Sequence, residues 1–124
     1  MLVAVAVGGA IGAVCRYILS SLLTAVMSDY LAIMFVNVLG CLVMGLVTGL
    51  WYEVWLQYQL WKAMIVVGFL GSFTTFSAFS LENYFLLKNG AWPLAVLNSL
   101  LSVMCCLLAV IVGIAIARLL RGTG

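Results

Sequence analysis

The chain has 124 residues, of which 68% are hydrophobic and 6% charged, and its formal net charge is +2. A soluble domain of this length cannot bury so large an apolar fraction, so the composition indicates a protein whose solvent is lipid. The small net charge argues against a nucleic-acid partner. The sequence has no histidine and only three acidic residues, Asp29, Glu53 and Glu82, which argues against an enzyme or a multi-carboxylate metal site.

Four apolar segments follow one another, and each is close to or longer than the ~20 residues that a helix needs to cross the hydrocarbon core. We place these spans at residues 2–24, 31–52, 62–85 and 92–117 and expect one four-helix transmembrane domain over residues 1–124. The breaks between them carry polar or turn-forming residues, namely Ser28, Asp29, Gln57, Gln59, Asn89 and Gly90. Pro93 lies in the first turn of the fourth span, where proline is tolerated.

The distribution of basic residues gives the chain little preference for one orientation. Four spans put both termini on one side, which Lys62, Arg118 and Arg121 flank, whereas Lys88 flanks the other side and Arg16 lies nearer to it. So small a bias specifies the orientation poorly. Insertion in both directions would favour an antiparallel two-fold dimer.

Glycines four residues apart occur in the first two spans. Gly8 and Gly12 form one such pair, and Gly45 and Gly49 form the other. This spacing lets helix backbones approach closely in membranes. It predicts helix packing and carries no information about function.

The third span contains an unusual cluster of hydroxyl residues in the segment GFLGSFTTFSAFSLE, residues 68–82. They are Ser72, Thr74, Thr75, Ser77 and Ser80. Hydroxyls in lipid need partners, and a carbonyl one turn earlier is the common one. A Gly–Ser–Thr cluster is also where a membrane helix is most easily interrupted, and carbonyls released near residues 71–75 could coordinate a cation such as sodium. Both interpretations are compatible with these residues.

Single polar residues interrupt the first two spans. Burying Arg16 at a helix centre costs ~2.5–3.5 kcal/mol on insertion scales, so it could draw anions toward a pore or snorkel to the interface. Asn37 could donate an amide hydrogen to an ion or hydrogen-bond a neighbouring helix, which is the more common role.

Two further pairs lie on single helix faces. Phe76 and Phe79 are three residues apart, and their positive ring edges could face an anion, although lipid or core packing is the usual role of such residues. Asn98 and Ser102 are four residues apart and could form a polar track or a packing seam.

Three motifs carry a resemblance to a known family: GGAIGAVCRY at 8–17, NVLGCLVMG at 37–45 and GFLGSFTTFSAFSLE at 68–82. They resemble the Fluc family of fluoride channels, also called CrcB, and the length and motif spacing are similar as well. The resemblance implies a passive, fluoride-selective channel that relieves fluoride toxicity in the cell membrane (inner or plasma) of a microbe. It also implies an antiparallel, dual-topology homodimer with two pores, each lined by both subunits.

Motif matching implies roles for individual residues. The implied pore and fluoride residues are Arg16, Asn37, Thr75, Phe76, Ser77, Phe79 and Ser102. Among them, the phenylalanine ring edges face fluoride and the arginine lies in an electropositive vestibule. Gly71 and Thr74 would give backbone carbonyls to one structural sodium ion at the dimer interface, next to a third helix broken near its middle. Family members often have tyrosine where this chain has Asn98, and Cys106 replaces a hydroxyl of the polar track.

Two other functions are compatible with four short spans. One is a small dual-topology, proton-coupled multidrug exporter, which needs a membrane carboxylate. Here the first span carries an arginine, Arg16, and the carboxylate of Glu82 lies near the end of the third span. A non-transporting scaffold subunit would leave the hydroxyl cluster and Arg16 without a purpose. The fluoride channel accounts for more of these residues.

Overall fold

The computed structural model describes residues 1–51 and 58–122, and this part of the chain is built from helices. In chain order they are α1 (Leu2–Thr24), α2 (Asp29–Trp51), α3 (Gln59–Lys62), a π-helical segment (Ala63–Leu70), α4 (Gly71–Phe73), α5 (Phe76–Lys88) and α6 (Trp92–Arg121). Within the described residues, four stretches are long and apolar enough to cross a membrane: α1, α2, the run Gln59–Lys88, and α6. The prediction of an all-α protein with four such helices is confirmed.

The last helix runs further than the sequence indicated, for a local reason. α6 continues past the predicted end at residue 117 and ends at Arg121. It ends there because the next residue, Gly122, has a φ of 70°, the left-handed conformation that terminates helices. Arg121 Nη1 donates to the Gly49 carbonyl at 3.2 Å, which joins the end of α6 to α2. The predicted end of the second span, Tyr52, and residues 53–57 of the following link lie outside the described residues.

Glycines hold the helices in close pairs. A Cβ atom on Gly8 or Gly12 of α1 would collide with backbone carbonyls of the π-helical segment, and one on Gly45 of α2 would collide with the Val110 carbonyl of α6. Such backbone approach is open only to residues without a side chain. α1 therefore packs on the π-helical segment and α4, while α2 packs along α6.

Side-chain size is distributed as expected for a protein in lipid. The buried apolar residues are mostly small, for example Ala32, Ala95 and Ala117. Large apolar side chains such as Leu22 and Ile111 cover the outside. Lipid tails solvate these large side chains, so helix association depends on close packing of small residues.

Two residues with extended backbone separate α4 from α5. Thr74 has φ −83° and ψ 152°, and Thr75 has φ −148° and ψ 118°; we call this pair the extended segment. Thr75 is the N-cap of α5, and its Oγ1 accepts from the Ala78 N–H at 3.2 Å. The Thr74 hydroxyl donates to the Leu70 carbonyl one turn earlier, at 3.0 Å.

Gly45→Ala is expected to lower the free energy of unfolding by about 1–3 kcal/mol, because the added methyl group meets backbone that cannot rotate away. Gly9→Ala on α1 is the control, since its Cβ would lie 3.2 Å from the Ser72 hydroxyl oxygen, the end of a side chain that can turn away. Thermal unfolding of the two variants in detergent, followed by tryptophan fluorescence, measures the difference. Equal stability of both variants would contradict the packing account.

Candidate functional site

The side-chain amide of Asn37 in α2 holds the extended segment by two hydrogen bonds. Its Nδ2 donates to the Thr75 carbonyl at 3.0 Å, and its Oδ1 accepts from the Thr75 N–H at 2.7 Å. Asn37 thus satisfies both backbone polar groups of a residue whose backbone is extended. The interhelical role considered for Asn37 is observed, and the NH2 group has a second hydrogen that this pair does not use.

These bonds redirect two N–H groups away from the carbonyls that they would meet in a continuous helix. In an α-helix, Thr75 N–H would bond the Gly71 carbonyl, and Ala78 N–H would bond the Thr74 carbonyl. Here Thr75 N–H donates to Asn37, and Ala78 N–H donates to Thr75 Oγ1. The Gly71 and Thr74 carbonyls therefore do not accept these two α-helical hydrogen bonds. These carbonyls are the two predicted sodium ligands.

A cavity of about 310 Å³ lies beside the extended segment, between α2, α5 and α6; we call it the central cavity. Predicted pore residues that line it are Asn37, Thr75, Phe76, Phe79 and Ser102. Its other lining residues are Cys41, Thr74, Val103, Cys106 and Leu107. The fold thus brings into one cavity residues from three separate helices.

The two predicted pore phenylalanines contact each other at the central cavity. The ring centroids of Phe76 and Phe79 lie 5.4 Å apart, with the planes tilted by 41°. Phe76 has 77% of its surface exposed although it follows directly on the extended segment. The cavity wall at Phe76 is therefore open in a single chain.

Arg16 lies in a second cavity, of about 170 Å³, on the other side of Thr75; we call it the arginine cavity. The half-buried Arg16 side chain donates from Nε to the Ser72 carbonyl at 3.1 Å, so it is bound to the third span. Thr75 lines both cavities. Asp29 and Glu82 line the arginine cavity as well, a grouping that sequence reasoning missed because the three residues come from three different spans.

Ser77 is the predicted pore residue that lies outside the linings of these two cavities. Its exposed hydroxyl pairs with Thr75 Oγ1 at 3.1 Å. Another hydroxyl of the third-span motif, Ser80, donates to the Phe76 carbonyl at 2.9 Å, which is the back-bonding expected of a helical serine. Ser77 is thus connected to the site through Thr75.

A buried polar network between α5 and α6 was also missed. Asn83, Asn98 and Ser102 are 9%, 4% and 5% exposed, and Asn98 Nδ2 donates to Asn83 Oδ1 at 3.2 Å. Asn98 and Ser102 share a helix face as predicted, but Asn83 was not singled out. An asparagine inside an apolar span was the available signal, because a buried amide in lipid needs a partner.

Comparisons with known proteins give one consistent result. The family described as CrcB-like protein, Camphor Resistance (CrcB), matches residues 3–114. A protein of Magnetococcus marinus named fluoride-specific ion channel FluC is 44% identical over 118 residues, covering 94% of this chain and 96% of that protein. Symbiobacterium thermophilum has a protein named fluoride-specific ion channel FluC 2, 44% identical over 111 residues, covering 88% and 90%. A FluC protein of Saccharophagus degradans is 38% identical over 116 residues, covering 93% and 87%.

Asn37→Leu removes both bonds to Thr75 and is expected to cost about 1–3 kcal/mol of stability, because the Thr75 N–H and carbonyl lose their partner. Amide hydrogen exchange of residues 73–78 should become faster than in the unmodified chain. Asn37→Gln is the control: it keeps an amide that can accept from the Thr75 N–H and donate to its carbonyl, so its effect should be smaller. Unchanged exchange in Asn37→Leu would show that the pair does not hold the segment.

Proposed function

Since the chain belongs to the CrcB family, we propose that it is a fluoride-selective ion channel that lets fluoride leave the cell passively and so relieves fluoride toxicity. The observation that carries this proposal is the central cavity, where the predicted pore residues Asn37, Phe76 and Phe79 come together. Relatives that match nearly the whole chain are named fluoride-specific channels. A passive channel carries out no covalent chemistry, so the chain is a transport protein and not an enzyme.

The chemistry of the central cavity suits a small anion that must lose its water. Fluoride is strongly hydrated, so a pore has to replace the hydration shell with hydrogen-bond donors. Asn37 has an amide hydrogen that its Thr75 bonds do not use, and Thr75 and Ser102 contribute hydroxyl groups. The edges of Phe76 and Phe79 add weak positive potential. The residues that line this cavity are all uncharged, so no carboxylate repels an anion there.

The arginine cavity is the proposed vestibule. Arg16 uses Nε to hold the Ser72 carbonyl, and this bond leaves its terminal nitrogens for an arriving anion. Thr75 lines both cavities, so an anion passing from one to the other passes this residue. Glu82 lines this vestibule together with Arg16, whereas the lining of the central cavity contains no carboxylate that could exchange a proton for a cation. That arrangement favours the channel over the exporter.

The proposed assembly is an antiparallel, dual-topology homodimer with two pores. Two observations support it: the weak bias of basic residues, and a central cavity left open at Phe76, which is 77% exposed. A second subunit would complete that wall, so each pore would be lined by both chains. The proposed location is the cell membrane (inner or plasma) of a microbe, which the chain crosses with its four apolar helices.

The third span is proposed to be a broken membrane helix that binds sodium. The extended backbone of Thr74 and Thr75 supports the break. The residues also fit the ion, because sodium is a hard cation that is coordinated by backbone carbonyls released in broken helices. Gly71 and Thr74 would each present such a carbonyl, and a two-fold axis would supply the same pair from the second subunit. A bound sodium ion would join the subunits and hold the extended segment in place.

Fluoride efflux from liposomes that contain the purified protein tests the channel, with chloride efflux as the comparison. Phe76→Ile and Phe79→Ile are each expected to lower fluoride efflux at least about tenfold while the dimer stays intact, because the ring edges are lost. Phe85→Ile, on the same helix but outside the two cavities, is the matched control and should conduct normally. Full efflux through both cavity variants would rule out the assigned pore, and the lack of any fluoride efflux through the unmodified dimer would rule out the channel.

The sodium site predicts a cation-specific gain in stability. The protein should unfold at a higher temperature in NaCl than in KCl, since a ligand that binds the folded state stabilises it. Thr75→Val should reduce this difference, because Ala78 N–H loses Thr75 Oγ1 and can bond the Thr74 carbonyl again. Thr75→Ser keeps the hydroxyl and serves as the control. Identical melting of the unmodified protein in the two salts would count against the site.

A further inference from the structure

The network between α5 and α6 connects the backbone of a pore phenylalanine to a hydroxyl of the central cavity. Asn83 Nδ2 donates to the Phe79 carbonyl at 3.0 Å, and Asn83 Oδ1 accepts from Asn98 Nδ2 at 3.2 Å. Ser102 Oγ then donates to Asn98 Oδ1 at 3.5 Å. Because Ser102 and Phe79 both line the central cavity, the network begins and ends at its wall.

The Phe79 carbonyl sets the direction of the three hydrogen bonds that lead from it to Ser102. The Phe79 carbonyl can only accept, so Asn83 must turn its NH2 group toward it and its Oδ1 toward α6. That oxygen needs a donor, so Asn98 turns its own NH2 group toward Asn83. Asn98 Oδ1 is then left facing Ser102, and the Ser102 hydroxyl has to be the donor.

This direction determines what Ser102 presents to the cavity. A hydroxyl has one hydrogen, and here it points to Asn98, so the lone pairs of Ser102 Oγ remain for the cavity. Lone pairs repel an anion, whereas the hydrogen would attract it. At 3.5 Å the bond to Asn98 is much longer than the ~2.5–3.0 Å usual for two oxygen atoms, so the hydroxyl can turn away at small cost.

We infer that Asn98 is a positioning residue that sets the anion affinity of the central cavity by competing for the Ser102 hydroxyl hydrogen. The Ser102 O–H points to Asn98 Oδ1 when the cavity holds no anion and turns to the anion when one arrives. Each arrival therefore breaks one buried hydrogen bond, which weakens anion binding at Ser102. This inference rests on the proposed function, because the anion is fluoride only if the chain is a fluoride channel.

The test is a double-mutant cycle on fluoride efflux from liposomes, measured over a series of fluoride concentrations. Asn98→Leu keeps a side chain of similar size and removes the competing acceptor. We expect the half-saturating fluoride concentration to fall about twofold, the value for a weak hydrogen bond. In a Ser102→Ala background, Asn98→Leu should have no further effect, because the hydroxyl through which it acts is gone.

A second variant keeps the test valid if Asn98→Leu does not fold. Asn83→Leu removes the acceptor that orients Asn98, whose amide can then turn its NH2 group toward Ser102 and release the hydroxyl. The same fall in the half-saturating concentration is expected, again only with Ser102 present. Ser99→Ala is the matched control: the one hydroxyl hydrogen of Ser99 goes to the Ala95 carbonyl at 2.8 Å, and its oxygen lies 3.4 Å from Asn83 Oδ1, too long for a strong bond, so the half-saturating concentration should stay the same.

The outcomes separate this inference from the proposed function. If the unmodified dimer passes no fluoride, the channel proposal is wrong and the anion role of Asn98 is wrong with it. If the unmodified dimer conducts but Asn98→Leu and Asn83→Leu leave the half-saturating concentration unchanged or raise it, only the inference is overturned. An equal effect in the Ser102→Ala background would also overturn it, because Asn98 would then act by another route.

Discussion

The two hydrogen bonds between Asn37 and Thr75 are the interaction on which the site depends. Extended backbone at the depth of a membrane has no water to bond, so each of its polar groups must find a partner in the protein. Asn37 satisfies the N–H and carbonyl of Thr75, and Arg16 satisfies the carbonyl of Ser72. With these groups satisfied, the chain can restart a helix at Phe76, which places this ring beside the central cavity.

Charge is divided between the two cavities that meet at Thr75. The arginine cavity holds Arg16 together with Asp29 and Glu82, whereas the central cavity is lined by aromatic rings, hydroxyls, thiols and an amide without a formal charge. A fixed charge in an apolar medium acts strongly on a small ion and can hold it as well as attract it. The proposed channel therefore attracts fluoride with a charge and lets it pass with weaker dipoles.

Helix packing decides which polar groups can reach one another. The glycine contact of Gly45 with α6 draws α2 and α6 together, so Asn37 of α2 and Ser102 of α6 line the same cavity. The network that starts at the Phe79 carbonyl joins α5 to α6. The cavity thus has three helical walls whose spacing is set by backbone contacts and one buried polar chain.

The sequence by itself determined the solvent, the four spans and, through its resemblance to a family, the candidate residues, because hydropathy and motifs are properties of neighbouring positions. It did not determine the partner of Asn37, the buried Asn83, the π-helical segment, or the carboxylates beside Arg16. Whether Asn37 bonds a helix or an ion, for example, depends on which peptide group lies 3 Å from its amide, and only the packing of α2 against the third span decides that. Local patterns specify helices, whereas hydrogen-bond partners across helices are specified only by tertiary structure.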